Sequence, residues 1–269
     1  MNFMKISLAA LWKKFYFRIP VYLCIALILL CTSGVLAMDK LLCPCAAEPA
    51  SRPPKSGNIT LISGDAELDA LYHHPAPGKP VVLFSHGNGE TLDSIKPLLD
   101  QFVKMGYGVM AYDYAGYGNS TGAAGEKQSY SDIDAAYTYL VEKKQIAPGN
   151  IVIMGFSVGS GPSCYLAEKT AVKALVIVAG FASAAQVLLP FSVPFDKFPN
   201  AVRLKNCKIP LLIIHGRKDT IVPFRNGEKL FSSSAAAVKK MYVENTGHND
   251  IFDRTPEFFS KIKTFLDKL

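Results

Sequence analysis

Five short runs of consecutive apolar residues constrain the fold of this 269-residue chain more than any other feature of its sequence. Because they are apolar throughout rather than alternating, they indicate strands covered on both faces, as in a parallel sheet. The intervening stretches carry helical patterns, so we expect an α/β fold with a mostly parallel central sheet and helices on both faces. An antiparallel hairpin is predicted earlier, at residues 59–62 and 68–72. The five runs are residues 81–84, 109–112, 151–154, 175–178 and 211–214.

Two of the predicted helices have recognisable beginnings. Ser131 is the predicted N-cap of one helix, and Thr255-Pro256 is the predicted start of the last. The apolar stripe of the first comprises Ile133, Ala136, Tyr137, Leu140 and Val141. The inward face of the last is predicted to comprise Phe258, Ile262, Phe265, Leu266 and Leu269.

Residues 19–38 form a stretch of twenty residues without a charged side chain. At about 1.5 Å per residue, a helix of this length spans roughly 30 Å, the thickness of the hydrocarbon core of a bilayer. We therefore predict a transmembrane signal anchor at residues 19–38, preceded by a basic segment at residues 1–18. The alternative is a cleaved signal peptide, because Val35-Leu36-Ala37 places small residues where a peptidase requires them.

The flanking charges predict the orientation of this anchor. Basic residues precede it, so the positive-inside rule keeps the N-terminus in the cytoplasm and the rest of the chain on the far side of the membrane. If the segment is cleaved, the protein is instead secreted or periplasmic. Residues 39–57 are rich in proline and predict an extended tether to a folded domain at residues 58–269. In the tether, Cys43 and Cys45 are candidates for acylation or for pairing.

The charge of the chain excludes one class of partner. Its formal net charge is +7, but residues 1–38 hold four basic residues and no acid, which leaves +3 for the remainder. This is too small a charge for a nucleic-acid-binding surface, so we expect no nucleic-acid partner. Because the sequence contains no cluster with the spacing of metal ligands, we expect neither a metal nor an organic cofactor.

Gly155-Phe156-Ser157-Val158-Gly159 follows directly on the predicted strand at residues 151–154 and precedes a helical pattern. This is the context of a nucleophile elbow, a sharp turn that lifts a serine above the edge of a sheet. The turn requires small residues two positions before and after the serine, and both positions are glycine. Ser157 is therefore the predicted nucleophile. The alternative is a strand-to-helix turn with an unreactive serine.

A serine nucleophile needs a general base, and His248 is the predicted one. It lies in a loop before the last helix, and in a sheet wound this way that loop returns to the edge where the nucleophile lies. His86 and His215 each follow an apolar strand and are predicted to brace loops near the site. His73 and His74 are predicted to be exposed.

Asp219 is the predicted acid that orients the base. It is the only carboxylate in the loop after the strand at residues 211–214, where it would offset the charge of the imidazolium. Asp250 and Asp253 are the alternatives, although we expect them to cap or solvate the last helix. The chain order Ser157, Asp219, His248 is the order expected for a triad on such a sheet.

A tetrahedral intermediate on the nucleophile would require hydrogen-bond donors for its oxyanion. The backbone amide of Val158 is one predicted donor. The other is predicted at the backbone amide of Asn88, in the glycine-rich loop after the first parallel strand, with Gly89 as the alternative. A plain glycine-rich turn without this role is the other interpretation.

Residues 181–208 are rich in Leu, Phe and Val, and an insertion at this point would overhang the nucleophile. They predict either an apolar cap that receives an acyl chain or a helix buried against the sheet. The pattern favours neither interpretation.

Several longer motifs contain these candidate residues. The first group comprises Ser85-His86-Gly87-Asn88, Asp113-Tyr114-Ala115-Gly116-Tyr117-Gly118 and Gly155-Phe156-Ser157-Val158-Gly159-Ser160-Gly161-Pro162. The second comprises Phe195-Asp196-Lys197-Phe198-Pro199-Asn200 and Gly247-His248-Asn249-Asp250. Over residues 57–269 the first group resembles the α/β-hydrolase superfamily. The second narrows the resemblance to a membrane-associated branch that includes eukaryotic protein depalmitoylases, which remove fatty acyl chains from cysteine.

The resemblance implies the same triad, with Ser157, Asp219 and His248 in the roles given above. We therefore expect a membrane-anchored serine hydrolase that cleaves acyl esters or thioesters of a small or lipid-like substrate, with acylated proteins among the candidates. The sequence departs from the family in one respect. Those depalmitoylases are held to the cytosolic leaflet by an acylated N-terminal cysteine cluster, whereas this chain has a predicted membrane span followed by only two tether cysteines.

Two other functions are compatible with the same residues. A serine peptidase of the prolyl-oligopeptidase-like kind, or an aminopeptidase, would keep the triad and change the bond that is cleaved. A non-catalytic binding domain would keep only the fold, because a fold does not determine its substrate.

Overall fold

The structure is a computed structural model that describes Tyr22 and residues 57–194 and 196–269. Apart from Tyr22, the predicted anchor at residues 19–38 lies outside the described residues, as does the tether up to residue 56. Among the described residues, no helix is long and apolar enough to cross a membrane.

The described part of the chain forms a sheet of eight strands in the order β1-β2-β4-β3-β5-β6-β7-β8. Strands β3 to β8 are parallel to one another, and β1 and β2 form an antiparallel hairpin whose second strand pairs antiparallel with β4. The prediction of a mostly parallel sheet is therefore confirmed. The strands are β1 Ile59–Ser63, β2 Ala66–His73, β3 Val81–Ser85, β4 Gly108–Tyr112, β5 Ile151–Phe156, β6 Ala174–Val178, β7 Leu211–Gly216 and β8 Lys239–Glu244.

Helices cover both faces of the sheet. Helices α1 and α8 pack on one face, in a core that includes Phe84, Met154 and Val176, whereas α2, α3 and α6 pack against the other. Strands β3 to β7 are buried along their whole length because they have helices on both sides. The helices are α1 Leu92–Lys104, α2 Glu126–Thr138, α3 Ser160–Lys169, α4 Ala184–Leu188, α5 Asn200–Leu204, α6 Arg225–Ser233, α7 Ile251–Arg254 and α8 Phe258–Leu266.

The predicted beginnings of two helices are wrong. Helix α2 begins at Glu126, and Ser131 is an exposed mid-helix residue whose hydroxyl lies 3.4 Å from the carbonyl oxygen of Lys127 one turn earlier. Helix α8 begins at Phe258 because Glu257 adopts a left-handed conformation with φ of 57°, which separates this helix from α7. Leu269 follows the end of α8 and is 40% exposed rather than inward-facing.

The segment at residues 181–208 matches neither prediction in full. The first residues of α4, Ala184 and Ala185, are buried, so this end of the helix packs on the domain. At the end of α4 the chain turns outward and forms an exposed tip, residues 188–191, in which Leu188 and Phe191 are 68% and 59% exposed. The segment returns to the core at Phe198, which is buried before α5.

The core tolerates little loss of volume at Phe102. This α1 side chain is fully buried and packs edge-to-face on Phe259 of α8, with ring centroids 5.2 Å apart. We expect Phe102→Ala to lower the free energy of unfolding by about 3–5 kcal/mol, because it removes a large apolar side chain and leaves a cavity. Gln101→Ala, at the exposed neighbouring position, should change it by less than about 0.5 kcal/mol. Urea denaturation followed by circular dichroism measures both, and equal effects would contradict this assignment of the core.

Candidate active site

Three side chains from distant parts of the sequence form one hydrogen-bonded chain. His248 Nε2 lies 2.9 Å from Ser157 Oγ, and His248 Nδ1 lies 2.6 Å from Asp219 Oδ2. The residues lie in the loops that follow β5, β7 and β8, and all three are buried. The carboxyl ends of these parallel strands meet at one edge of the sheet, so residues 91 and 29 positions apart become neighbours.

The turn at Ser157 has the geometry of a nucleophile elbow. Ser157 adopts a left-handed conformation with φ of 52° and begins a single 3₁₀ turn, Ser157–Gly159, that leads directly into α3. A Cβ on Gly155 would overlap the backbone of Gly159, and a Cβ on Gly159 would overlap the carbonyl group of Ser85. Only glycine therefore fits at the two flanking positions.

The carboxylate of Asp219 is ionised despite its burial. Its Oδ1 accepts the backbone N–H groups of Ile221 at 2.9 Å and Val222 at 2.7 Å, and its Oδ2 faces His248 and lies 3.5 Å from Nε2 of His215. Burial alone would raise the pKa of this carboxyl, but the hydrogen bonds from His215, His248 and the backbone lower it to about 2. An ionised Asp219 accepts the Nδ1–H of His248, which leaves the lone pair of Nε2 directed at the serine.

The other four histidines and the two alternative acids lie outside this hydrogen-bonded chain of three residues. His215 Nε2 lies 2.9 Å from the carbonyl oxygen of Val222, and His86 Nδ1 lies 2.8 Å from that of Gly87. Both rings are fully buried and brace the loops in which they lie, whereas His73 and His74 are exposed. Asp250 is the N-cap residue of α7 and its carboxylate lies 3.7 Å from Arg254, while Asp253 is exposed within α7.

The two predicted oxyanion donors lie in loops that pack against each other. Val158 is in the first turn of the helical segment after the nucleophile, where backbone N–H groups have no intrahelical acceptor. Gly159 lies against the carbonyl groups of Ser85 and His86, so the loop that contains Asn88 adjoins the elbow. Gly89 has φ of 74° and completes the turn of that loop.

Aromatic side chains pack beside the nucleophile. Next to the elbow they leave a narrow slot of about 10 Å³, which is large enough for a water-sized group only. The slot is lined by residues that include Val158, Tyr114, Tyr117, Phe198 and the buried Asp132. A separate cavity of about 320 Å³ lies between the exposed tip at residues 188–191 and helix α6. It is lined by residues that include Phe191 of the tip and Arg225 and Lys229 of α6. Among the described residues, no group of three or more His, Cys, Asp or Glu side chains is arranged to hold a metal ion.

Tyr114 and Tyr117 lie within the sequence motifs, but no pattern in the sequence indicated where their side chains would lie. In the structure both rings are buried, and their hydroxyl groups bond to the loop after β3, at His86 O and Asn88 Oδ1 respectively. Both tyrosines lie in a glycine-rich loop directly after a buried strand. This position was the one feature of the sequence that indicated a place for them at the edge of the sheet.

Comparisons with known proteins identify the family. A family model described as "Serine aminopeptidase, S33" matches residues 76–202. Alpha/beta hydrolase domain-containing protein 17B of Xenopus tropicalis is 33% identical over 77% of this chain and 74% of its own length, and the human protein of that name is 33% identical over 78% and 74%. This chain belongs to the α/β-hydrolase family. An α/β-hydrolase from Vibrio vulnificus of known structure has a TM-score of 0.66 and 25% identity, over 77% of this chain and 80% of its own.

Membership of this family supports a hydrolase and agrees with the predicted fold. The matched region of the family model contains both the elbow and the loop after β3, but it ends before Asp219 and His248. The geometry of those two residues is therefore an observation of this structure that is independent of the family model.

The lowered pKa of Asp219 predicts how stability depends on pH. The folded-state pKa of about 2 lies below the value of about 3.9 in an unfolded chain, so the carboxylate stabilises the fold above pH 4 and this contribution is lost as the pH falls toward 2. We expect the difference in free energy of unfolding between the wild type and Asp219→Asn to shrink by about 1 kcal/mol from pH 6 to pH 3. Denaturation curves at the two pH values measure this. A difference independent of pH would show that the carboxylate has an ordinary pKa.

Proposed function

We propose that this α/β-hydrolase is a serine hydrolase that cleaves acyl ester or thioester bonds through an acyl-enzyme intermediate on Ser157. The observation that supports this most directly is the hydrogen-bonded chain from Ser157 through His248 to Asp219. It joins a nucleophile in a strained turn, a base whose free lone pair faces it, and an ionised acid that orients the base.

In the acylation step, His248 Nε2 removes the proton of Ser157 as Oγ attacks the acyl carbon. The carbonyl oxygen becomes an oxyanion, which accepts hydrogen bonds from the backbone amides of Val158 and Asn88. Collapse of the tetrahedral intermediate breaks the bond to the alcohol or thiol, which leaves with the proton from His248. Asp219 remains ionised throughout and stabilises the imidazolium.

Deacylation repeats these steps with water as the nucleophile. His248 removes a proton from a water molecule that attacks the acyl carbon of the ester on Ser157. As the second tetrahedral intermediate collapses, the bond between the acyl carbon and Ser157 Oγ breaks, His248 donates the proton to Oγ, and the fatty acid or other carboxylic acid is released. These residues supply every proton transfer that the reaction needs.

We propose that the substrate carries a lipid-like acyl chain and that acylated proteins are among the candidates, as in the depalmitoylases that the motifs resemble. The exposed Leu188 and Phe191, flanked by the exposed cations Arg225 and Lys229, support a position next to a phospholipid surface.

On this proposal the protein is anchored through residues 19–38, with its N-terminus in the cytoplasm and its hydrolase domain on the far side of the membrane. Protease protection of tags at the two ends of the chain in intact cells tests the orientation. We expect external protease to digest a C-terminal tag and to leave an N-terminal tag intact. Digestion of the N-terminal tag with protection of the C-terminal one would show the opposite orientation.

A peptidase remains the second candidate, and the description of the matching family model as a serine aminopeptidase favours it. The two candidates share the triad and differ in the leaving group, which is an alcohol or thiol for one and an amine for the other. Rates on p-nitrophenyl palmitate and on palmitoyl thioesters, compared with those on aminoacyl anilides, separate the two. Cleavage of the anilides alone would replace the proposed function by the second candidate.

The nucleophile itself is tested by Ser157→Ala in the full-length protein. We expect a fluorophosphonate probe to label the wild type and not the variant, and kcat to fall by roughly 10⁶-fold, because the remaining groups cannot form an acyl-enzyme. Ser131→Ala, at an exposed serine of α2, is the matched control and should retain full labelling and activity. Labelling of Ser157→Ala at the wild-type level would contradict the proposed mechanism, and absence of labelling in the wild type would leave a non-catalytic binding domain.

A further inference from the structure

Hydrogen bonds within the loop after β3, residues 86–90, determine the direction of one backbone amide. The amide of Gly87 donates to Oε2 of Glu90 at 2.6 Å, so it is occupied. The carbonyl oxygen of Gly87 accepts from Nδ1 of His86 at 2.8 Å and from the amide of Glu90 at 3.3 Å. A trans peptide holds its N–H antiparallel to its C=O, so the amide of Asn88 points away from both of these donors.

Two tyrosines from the loop after β4 hold the same segment through their side chains. Tyr114 donates its hydroxyl to the carbonyl oxygen of His86 at 2.9 Å, and Tyr117 donates to Oδ1 of Asn88 at 2.7 Å. The rings pack edge-to-face with centroids 5.6 Å apart, and both contact the ring of His86. Asn88 is exposed, whereas Tyr117 is buried, so a rigid residue beneath the surface holds a residue that solvent would otherwise leave free to move.

We propose that Tyr117 is a positioning residue for the oxyanion site. Its hydroxyl fixes the carboxamide of Asn88, and through it the residue whose backbone amide stabilises the oxyanion. This inference rests on the proposed function, because it concerns the same intermediate on Ser157. Glu90 and His86 orient the peptide between Gly87 and Asn88, and Tyr117 prevents the residue that follows this peptide from swinging outward.

The inference makes a distinctive kinetic prediction. A donor to the oxyanion acts in the transition state and not on the bound substrate, so its displacement lowers kcat and kcat/KM equally and leaves KM unchanged. Loss of a whole oxyanion donor costs about 10²–10³-fold in kcat. Tyr117→Phe removes only the group that positions the donor, so we expect a smaller loss, of roughly 10-fold.

The experiment compares Tyr117→Phe, Asn88→Ala and the double variant in the full-length protein, with p-nitrophenyl palmitate as the probe. Asn88→Ala keeps the backbone amide and removes the acceptor of the tyrosine, so it should show the same roughly 10-fold loss without disturbing the core. The double variant should lose no more than either single variant, because both remove one shared hydrogen bond.

The matched control is Tyr165→Phe, because this hydroxyl also donates to a neighbouring side chain, Asp134 Oδ2 at 3.0 Å, but lies on α3 away from the loop after β3. It should keep the wild-type kcat. Each kcat is expressed per serine that a fluorophosphonate titrates to completion, so that misfolded molecules do not count as a catalytic loss.

Three outcomes would overturn the inference while leaving the proposed function intact, provided that Ser157→Ala is inactive. The first is a wild-type kcat in Tyr117→Phe, and the second is a rise in KM in place of a fall in kcat. The third is a multiplication of the two losses in the double variant, which would show that the two side chains act independently. A wild-type protein that hydrolyses no acyl substrate would overturn the proposed function, and this inference with it.

Discussion

The left-handed turn at Ser157 is the constraint on which the rest of the site depends. A buried parallel strand ends there and a helix begins within one turn, which is possible only because a residue with a side chain adopts φ of 52° between two glycines. Such a conformation costs about 1–3 kcal/mol and persists only where the surrounding structure imposes it. Here the flanking strands β3 and β6 and the close contact of Gly159 with the loop after β3 impose it.

The same contact brings the two halves of the proposed oxyanion site together. Because no side chain separates Gly159 from Ser85 and His86, the loop after β3 reaches the beginning of α3. The amides of Val158 and Asn88 then belong to neighbouring backbone segments although they are far apart in sequence. The surrounding backbone also stabilises the negative charge of Asp219. Two backbone N–H groups and two histidines take the place of the water that burial removes from the carboxylate.

The sequence was informative where the pattern depends on burial. The strands in the middle of the sheet are covered on both faces, so their residues are apolar without interruption, and all five predicted runs are confirmed. Strand β8 lies at the edge of the sheet and begins with a half-buried Lys239 and an exposed Lys240, so only a three-residue apolar stretch was visible there. The beginning of α2 was missed because no side-chain cap marks it, and the serine that resembled a cap lies inside the helix.

The residues proposed for the triad could be selected from the sequence because each lies at a fixed place relative to a recognisable strand. The bonds from Tyr117 to Asn88 and from Tyr114 to His86 could not, because they join loops 29 and 28 residues apart through side chains that carry no periodic signal. Long-range hydrogen bonds of this kind are determined by the final packing alone.

The groups proposed for the chemistry and those proposed for substrate choice lie on physically different parts of the fold. Ser157 and Asp219 lie in loops that follow the fully buried strands β5 and β7, and His248 is held between them by hydrogen bonds to both residues. Their geometry therefore changes little when surface residues change. The exposed tip at residues 188–191 has two large exposed apolar side chains, Leu188 and Phe191, and adjoins a cavity whose lining includes Arg225 and Lys229. Relatives can therefore share the catalytic edge of the sheet and differ in the acyl group or partner that they accept, because substitutions at the tip do not disturb the strands beneath it.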